Sequence, residues 1–381
     1  MHEKQELKHI AALDGIRGFA VLLVFVFHVS SAPSTAISLG QGTWAGALAH
    51  GIARRGWMGV DLFFILSGYL ITGILLRARD AKNYYQVFYA RRALRILPLY
   101  YLVLFGLMSF YWSPVKDQVW FWFNLSNLVT AFHPALIPAL SHYWSLSIEE
   151  QFYMVWPFVV RRFHEKTLLR ICLVAIVGCF LLRNLPIMLT WSGRWPDLLY
   201  RFTPFRIDTL CAGALLAILV HRGLDLRRYK GYLCAAWAAG FALVVAPHPE
   251  HAPHHILSRL IYTGPLLCFT ALIALALDPA SLTARIFRNR FLRSMGLYSY
   301  CFYLIHLFFL AHVYLFERGL RAMHVRFVNE GLDHLVLDGI AFVAIFVACA
   351  ISYRFFESPI LNLKRFFPYR KQNVPQPAAS R

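Results

Sequence analysis

A helical bundle that crosses a membrane many times is the fold class this 381-residue sequence predicts. Three observations lead there. Hydrophobic residues make up 59% and charged residues 15%, against roughly 25% charged in a soluble domain, and mean hydropathy is +0.52. Apolar runs near twenty residues recur between positions 10 and 356, each long enough for a hydrocarbon core of ~30 Å. Runs such as 19–29 and 341–351 are apolar on every face, which excludes the alternating pattern of a transmembrane barrel.

Taken in order, the predicted spans lie near 10–30, 57–76, 94–112, 145–160, 168–190, 205–220, 231–247, 258–277, 295–316 and 335–356. The first follows a charged tail and ends near Ser30-Ser31-Ala32, like a signal peptide, but Asp14 and Arg17 inside it argue against cleavage. Arg17 and His28 are eleven residues apart, close to three helical turns, so they share a face about 16 Å apart along the axis. The second span opens at Gly56-Trp57 and carries Asp61 near its start and Ser67 further in. Arg91, Arg92 and Arg95 precede Pro98 at the beginning of the third.

The stretch 118–140 is apolar but broken by Asn124, Asn127, Pro134 and Pro138, and is expected to lie in the interface or re-enter. The segment from His142 to Pro157, which leads into the fourth span, holds the adjacent pair Glu149 and Glu150, of which one side chain is expected to face a cavity while the other pairs elsewhere. Arg206 and Asp208 open the sixth, where their short separation suggests a salt bridge. His306 falls near the middle of the ninth, where a packing role and a catalytic one are equally open. The segment from 366 to 381, Pro-rich and ending QPAASR, reads as a short disordered tail after a single membrane domain over 1–365.

Charge fixes the orientation. With both termini cytoplasmic, 25 of the 38 Lys and Arg residues fall in inside segments and nine outside. A crossing at 118–140 would invert every later loop. The net charge of +19 therefore reflects membrane topology and anionic headgroups, and no basic stripe interleaved with aromatics points to nucleic acid. The seven Cys residues all sit in apolar stretches without a CxxC pair and read as packing residues. His248, His251, His254 and His255 have ligand-type side chains without any readable supporting shell, so no metal is expected. ATP, dinucleotide, zincin and nucleophile-elbow motifs are missing from the sequence.

Ionisable groups inside a membrane cost about 2.5–3.5 kcal/mol each on insertion scales, so they mark candidate sites. The outer half holds His28, Asp61 and Glu149 or Glu150, residues able to form an imidazole oriented by a carboxylate, the usual general base for a hydroxyl. The inner half holds Arg17, Arg91, Arg92 and Arg95, whose guanidiniums suit a phosphate-rich ligand.

At these residues the chain resembles the acyltransferase family 3 membrane proteins, bacterial O-acyltransferases of surface polysaccharide, peptidoglycan and some secondary metabolites. The matching stretches are LDGIRGFAVLLVFVFH (13–28), GVDLFFILSGYLIT (59–72), FYARRALRILPLYY (88–101), HYWSLSIEEQFYMVWP (142–157), RIDTLCAGALLA (206–217) and LYSYCFYLIHL (297–307). The resemblance implies transfer of an acyl group, acetyl being the short-chain expectation, from cytoplasmic acyl-CoA to a hydroxyl of a carbohydrate or lipid-linked glycan on the far side of the bacterial inner membrane. It assigns His28 as the catalytic histidine, Arg17 as its paired arginine, Arg95 as a donor-side arginine, and Glu149 rather than Glu150 to the acidic motif. Some members carry an SGNH-type esterase domain after the membrane region; none is read here, which implies direct transfer or a separate partner. The rival class is a transporter using the same charges as a proton or substrate path, and it would be favoured by inverted repeats, of which the sequence gives no convincing sign.

Overall fold

The computed structural model describes residues 10–31, 44–110, 115–133, 137–184, 195–246, 260–322 and 330–370. There is no β-strand among them. The helices in order are α1 (Ala11–Ser30), α2 (Trp44–Arg54), α3 (Gly59–Arg77), α4 (Tyr84–Phe110), α5 (Val115–Trp122), α6 (Ser126–Phe132), α7 (Trp144–Arg162) and α8 (Glu165–Asn184). They continue with α9 (Trp195–Arg201), α10 (Ile207–His221), α11 (Lys230–Val245), α12 (Thr263–Ala276), α13 (Leu282–Phe287), α14 (Arg290–Ala322), α15 (Glu330–Ser352) and, after a π turn at Tyr353–Glu357, α16 (Ser358–Asn362).

Each of the ten expected spans overlaps a helix, and among the described residues five stretches, at 11–30, 49–77, 84–109, 290–319 and 336–366, are long and apolar enough to cross a membrane by themselves. The stretch 118–140 is divided among α5, α6 and a 3-10 turn at Pro138–Tyr143. Its longest helix has eight residues, about 12 Å, which is too short to cross. On α8 the side chains of Leu173, Val174, Val177 and Leu181 point outward, Val174 being 70% exposed. Such a stripe has no place against water and fits acyl chains.

Where no hydrophobic effect separates helix from lipid, close backbone packing does the work, and small residues permit it. A Cβ on Gly18 would run into the carbonyl of Leu292 and the amide of Gly296, and one on Gly296 into the carbonyl of Asp14. α1 and α14 therefore touch backbone to backbone. Gly68 and Gly213 form the same kind of seam, each set against the other helix's carbonyl (Leu210 and Ile65), and join α3 to α10.

Contacts between loops sort the helix ends into two groups. Arg79 donates to the Phe163 carbonyl (2.7 Å), Arg161 to that of Ala81 (3.1 Å), Glu165 faces His221 and Arg222, and Arg227 pairs with Asp278. The opposite group includes Arg55, which donates to the carbonyl of Ala246 (2.8 Å), and Arg183, which donates to that of Phe205 (2.5 Å). Residues 367–370 lie along the beginning of α4: the Arg91 Nε donates to Phe367 O (2.8 Å) and Asn83 brackets Pro368 and Arg370. The rest of the expected tail, from 371, lies outside the described residues, as do His248, His251, His254 and His255.

Candidate active site

α1, α3, α4, α7 and α14 enclose a cavity of about 90 Å³, several times the space a single water needs. Arg17, Ser67, Arg92, Arg95, Glu149 and Glu150 line it together with Tyr300 and Tyr303. Arg92 and Arg95 are three residues apart and therefore share a face of α4, whereas Arg91 points away to the 367–370 segment, with its guanidinium 5.4 Å from the Tyr369 ring centre. Both adjacent carboxylates reach the cavity, contrary to the expectation that only one would, because the space spans more of α7 than a single helical row. They are distinguished by their partners: Ser67 Oγ donates to Glu149 Oε1 at 2.7 Å. The Arg92 guanidinium stacks 3.8 Å above the Tyr153 ring, a cation–π contact that holds it against α7.

His28 stands further along α1, half-buried, and does not line this cavity. It meets two other imidazoles. His306 Nε2 lies 3.2 Å from His28 Nδ1, and the ring of His142 is 4.8 Å from that of His306 and 6.4 Å from that of His28. His142 and His306 are buried. Sequence reading used His142 only as the start of a motif; its place beside His28 depends on a 3-10 turn that periodicity does not reveal.

Between the cavity and the imidazoles stands Tyr303. Its hydroxyl lies 2.6 Å from Ser145 Oγ and donates to the His142 carbonyl at 3.1 Å, while its ring packs edge-on against His142. Ser145 and Tyr303 both line the cavity, so a single hydrogen-bonded pair separates the arginine-rich space from the histidine group. Neither residue was singled out from sequence, since an isolated Ser or Tyr on an apolar helix carries no pattern.

Asp61 is placed elsewhere. Expected beside His28, it is fully buried and accepts from Arg206 at 2.7 Å. Arg206 was expected to pair with Asp208, yet residues two apart do not face each other on a helix, and Asp208 instead takes Arg183 at 2.6 Å. The two ion pairs meet at Tyr262, whose ring centre is 5.1 Å from the Arg206 guanidinium carbon and 5.2 Å from that of Arg183. A fully buried carboxylate needs a cation more than an imidazole can supply, which explains the partner chosen. No group of three or more His, Cys, Asp or Glu among the described residues is arranged to hold a metal ion.

The chain is 29% identical to the peptidoglycan O-acetyltransferase OatA of Listeria monocytogenes, over 93% of this chain and 56% of that protein. It is 29% identical to the putative peptidoglycan O-acetyltransferase YrhL of Bacillus subtilis, over 94% and 56%. Identity to the O-acetyltransferase OatA of Staphylococcus aureus is 26%, over 93% and 57%. The chain thus spans a little over half the length of the curated relatives it matches. No solved structure matches it. Residues 10–359 match the acyltransferase domain of the acyltransferase 3 family, and the span includes every helix that builds the cavity and the histidine group: this membrane protein belongs to that family.

Proposed function

We propose that the chain is a multi-pass O-acyltransferase of the bacterial inner membrane, moving an acetyl group from cytoplasmic acyl-CoA to a hydroxyl of a cell-wall glycan on the other side. The observation that carries this reading is the shared cavity of Arg17, Arg92, Arg95 and Glu149 ending one hydrogen-bonded pair away from the histidine group that includes His28. Guanidiniums bind the phosphates of a nucleotide-bearing donor bidentately, and the imidazole serves a hydroxyl. The relatives in Listeria and Bacillus, named as a peptidoglycan O-acetyltransferase and a putative one, support a glycan acceptor.

In this reading the helix ends carrying Arg79, Arg161, Arg222 and the 367–370 segment face the cytoplasm, as ten crossings and the positive-inside bias require. Arg17, Arg92 and Arg95 hold the donor. His28 Nε2 takes the acceptor proton, the acceptor oxygen bonds to the thioester carbonyl carbon, the C–S bond breaks, and the proton passes from His28 to the leaving thiolate. The products are an O-acyl ester and the free CoA thiol. Glu149, held by Ser67, keeps the arginine cluster in place, and Asp61 contributes by locking α3 to α10 through Arg206.

The test is transfer of labelled acetyl from acetyl-CoA to cell-wall glycan in membranes from cells expressing the chain. Label in the glycan that disappears with His28→Ala is the expected result. Label that stays at background with the wild-type chain inserted would end the proposal.

A further inference from the structure

The two contacts of His306 define a proton arrangement that the reaction itself does not assign. His306 Nδ1 lies 2.8 Å from the Tyr303 carbonyl, and His28 Nδ1 lies 2.9 Å from the Val24 carbonyl. A carbonyl oxygen only accepts, so each Nδ1 must carry the proton, and each Nε2 bears a lone pair. The 3.2 Å approach of His306 Nε2 to His28 Nδ1 is then an acceptor facing a donor. The opposite tautomers would set lone pairs against carbonyl oxygens at both rings. This leaves His28 Nε2 unprotonated and free for the acceptor.

We propose that His306 is a positioning residue for His28: it shares the His28 Nδ1–H with the Val24 carbonyl, reinforces the tautomer that exposes Nε2, and shares the positive charge when His28 takes the acceptor proton. This rests on the reading of His28 as general base. The Val24 carbonyl already serves the backbone of α1, whereas His306 Nε2 has no other hydrogen-bond partner among the described residues. The reach to His28 comes from a ring with zero exposure, anchored at its other nitrogen, so the geometry is built and not adventitious. The carboxylate that orients a base in many hydrolases is replaced here by a second neutral imidazole, which avoids placing a fixed charge at this depth.

Two substitutions test it. Gln at 306 can present an amide oxygen where Nε2 stood, while Phe keeps the ring and loses the acceptor. With radiolabelled acetyl-CoA and isolated cell-wall membranes, His306→Phe should lower kcat by roughly 10²-fold with the apparent KM for acetyl-CoA unchanged, and His306→Gln should recover at least about a tenth of wild-type kcat. A His306→Phe variant with wild-type kcat overturns the proposal, as does a Gln variant as inactive as Phe when both are inserted at wild-type level. Normal transfer in His28→Ala would instead overturn the reading beneath it. If neither 306 variant inserts, ¹⁵N magic-angle NMR of the wild-type protein decides: protonated Nδ1 on both rings is expected, and protonated Nε2 on His306 overturns the proposal.

Discussion

Ser67 and Glu149, 82 positions apart in sequence, meet in a 2.7 Å hydrogen bond inside the cavity, with the hydroxyl of α3 donating to the carboxylate of α7. Glu150 also lines the cavity but lacks that anchor. A carboxylate held by a donor keeps one orientation toward the arginines, whereas its neighbour is freer to turn.

Glu149→Gln should therefore reduce acetyl transfer more than Glu150→Gln, and Ser67→Ala should lie between wild type and Glu149→Gln. Rates in membranes at saturating acetyl-CoA give the order. A Glu150 variant more damaged than the Glu149 variant would exchange the two roles.

His28→Ala should lower transfer by roughly 10²–10⁴-fold, the contribution usual for a general base, while the protein remains inserted at normal abundance. Immunoblotting of the membrane fraction beside the transfer assay separates lost chemistry from lost protein.

Arg95 lines the cavity and Arg91 does not, although they stand four residues apart. Arg95→Lys keeps the charge and loses the bidentate fork, so the apparent KM for acetyl-CoA should rise with little change in acceptor dependence. Arg91→Ala, which loosens the 367–370 segment, should leave donor dependence within about twofold. Equal effects at the two positions would contradict a donor site inside the cavity.

Asp61→Asn leaves the Arg206 guanidinium buried without its anion, at a cost of about 3–5 kcal/mol. Thermal unfolding in detergent should report it as a clear loss of stability. The double variant Asp61→Leu, Arg206→Met should recover most of that loss, because a hydrophobic pair removes both desolvation penalties.

For orientation, Lys166→Cys in a Cys234→Ser background should resist a thiol reagent that cannot cross the membrane when applied to intact cells, and react after the membrane is opened. Cys234 is removed because it is the exposed cysteine of the seven. Labelling in intact cells would place the α7–α8 connection outside.

The helices were legible because runs such as 19–29 carry an apolar signal on every face. The cavity was legible in part. Arg17, Arg92, Arg95 and Glu149 are charges within or at the edge of apolar runs, where the sequence makes them conspicuous. Tyr303, Ser145 and His142 were not, since neutral polar side chains on buried helices look like packing residues until the partner helix is in place. Asp61 was misplaced for the opposite reason: depth along its own helix gave its height and said nothing of which neighbour, α1 or α10, it would face.

The seam between α1 and α14 reaches beyond packing. Gly18 lies ten residues before His28, and Gly296 ten residues before His306. Because the two helices run in the same direction from that point of contact, equal offsets bring the imidazoles to equal height about 15 Å away. The glycines act as the pivot of a caliper whose jaws are the two rings. A single methyl at Gly18 or Gly296 would open the pivot by forcing the Leu292 or Asp14 carbonyl aside, and a displacement there is carried along both arms. The spacing of the two imidazoles is in this way written into two residues that have no side chain of their own.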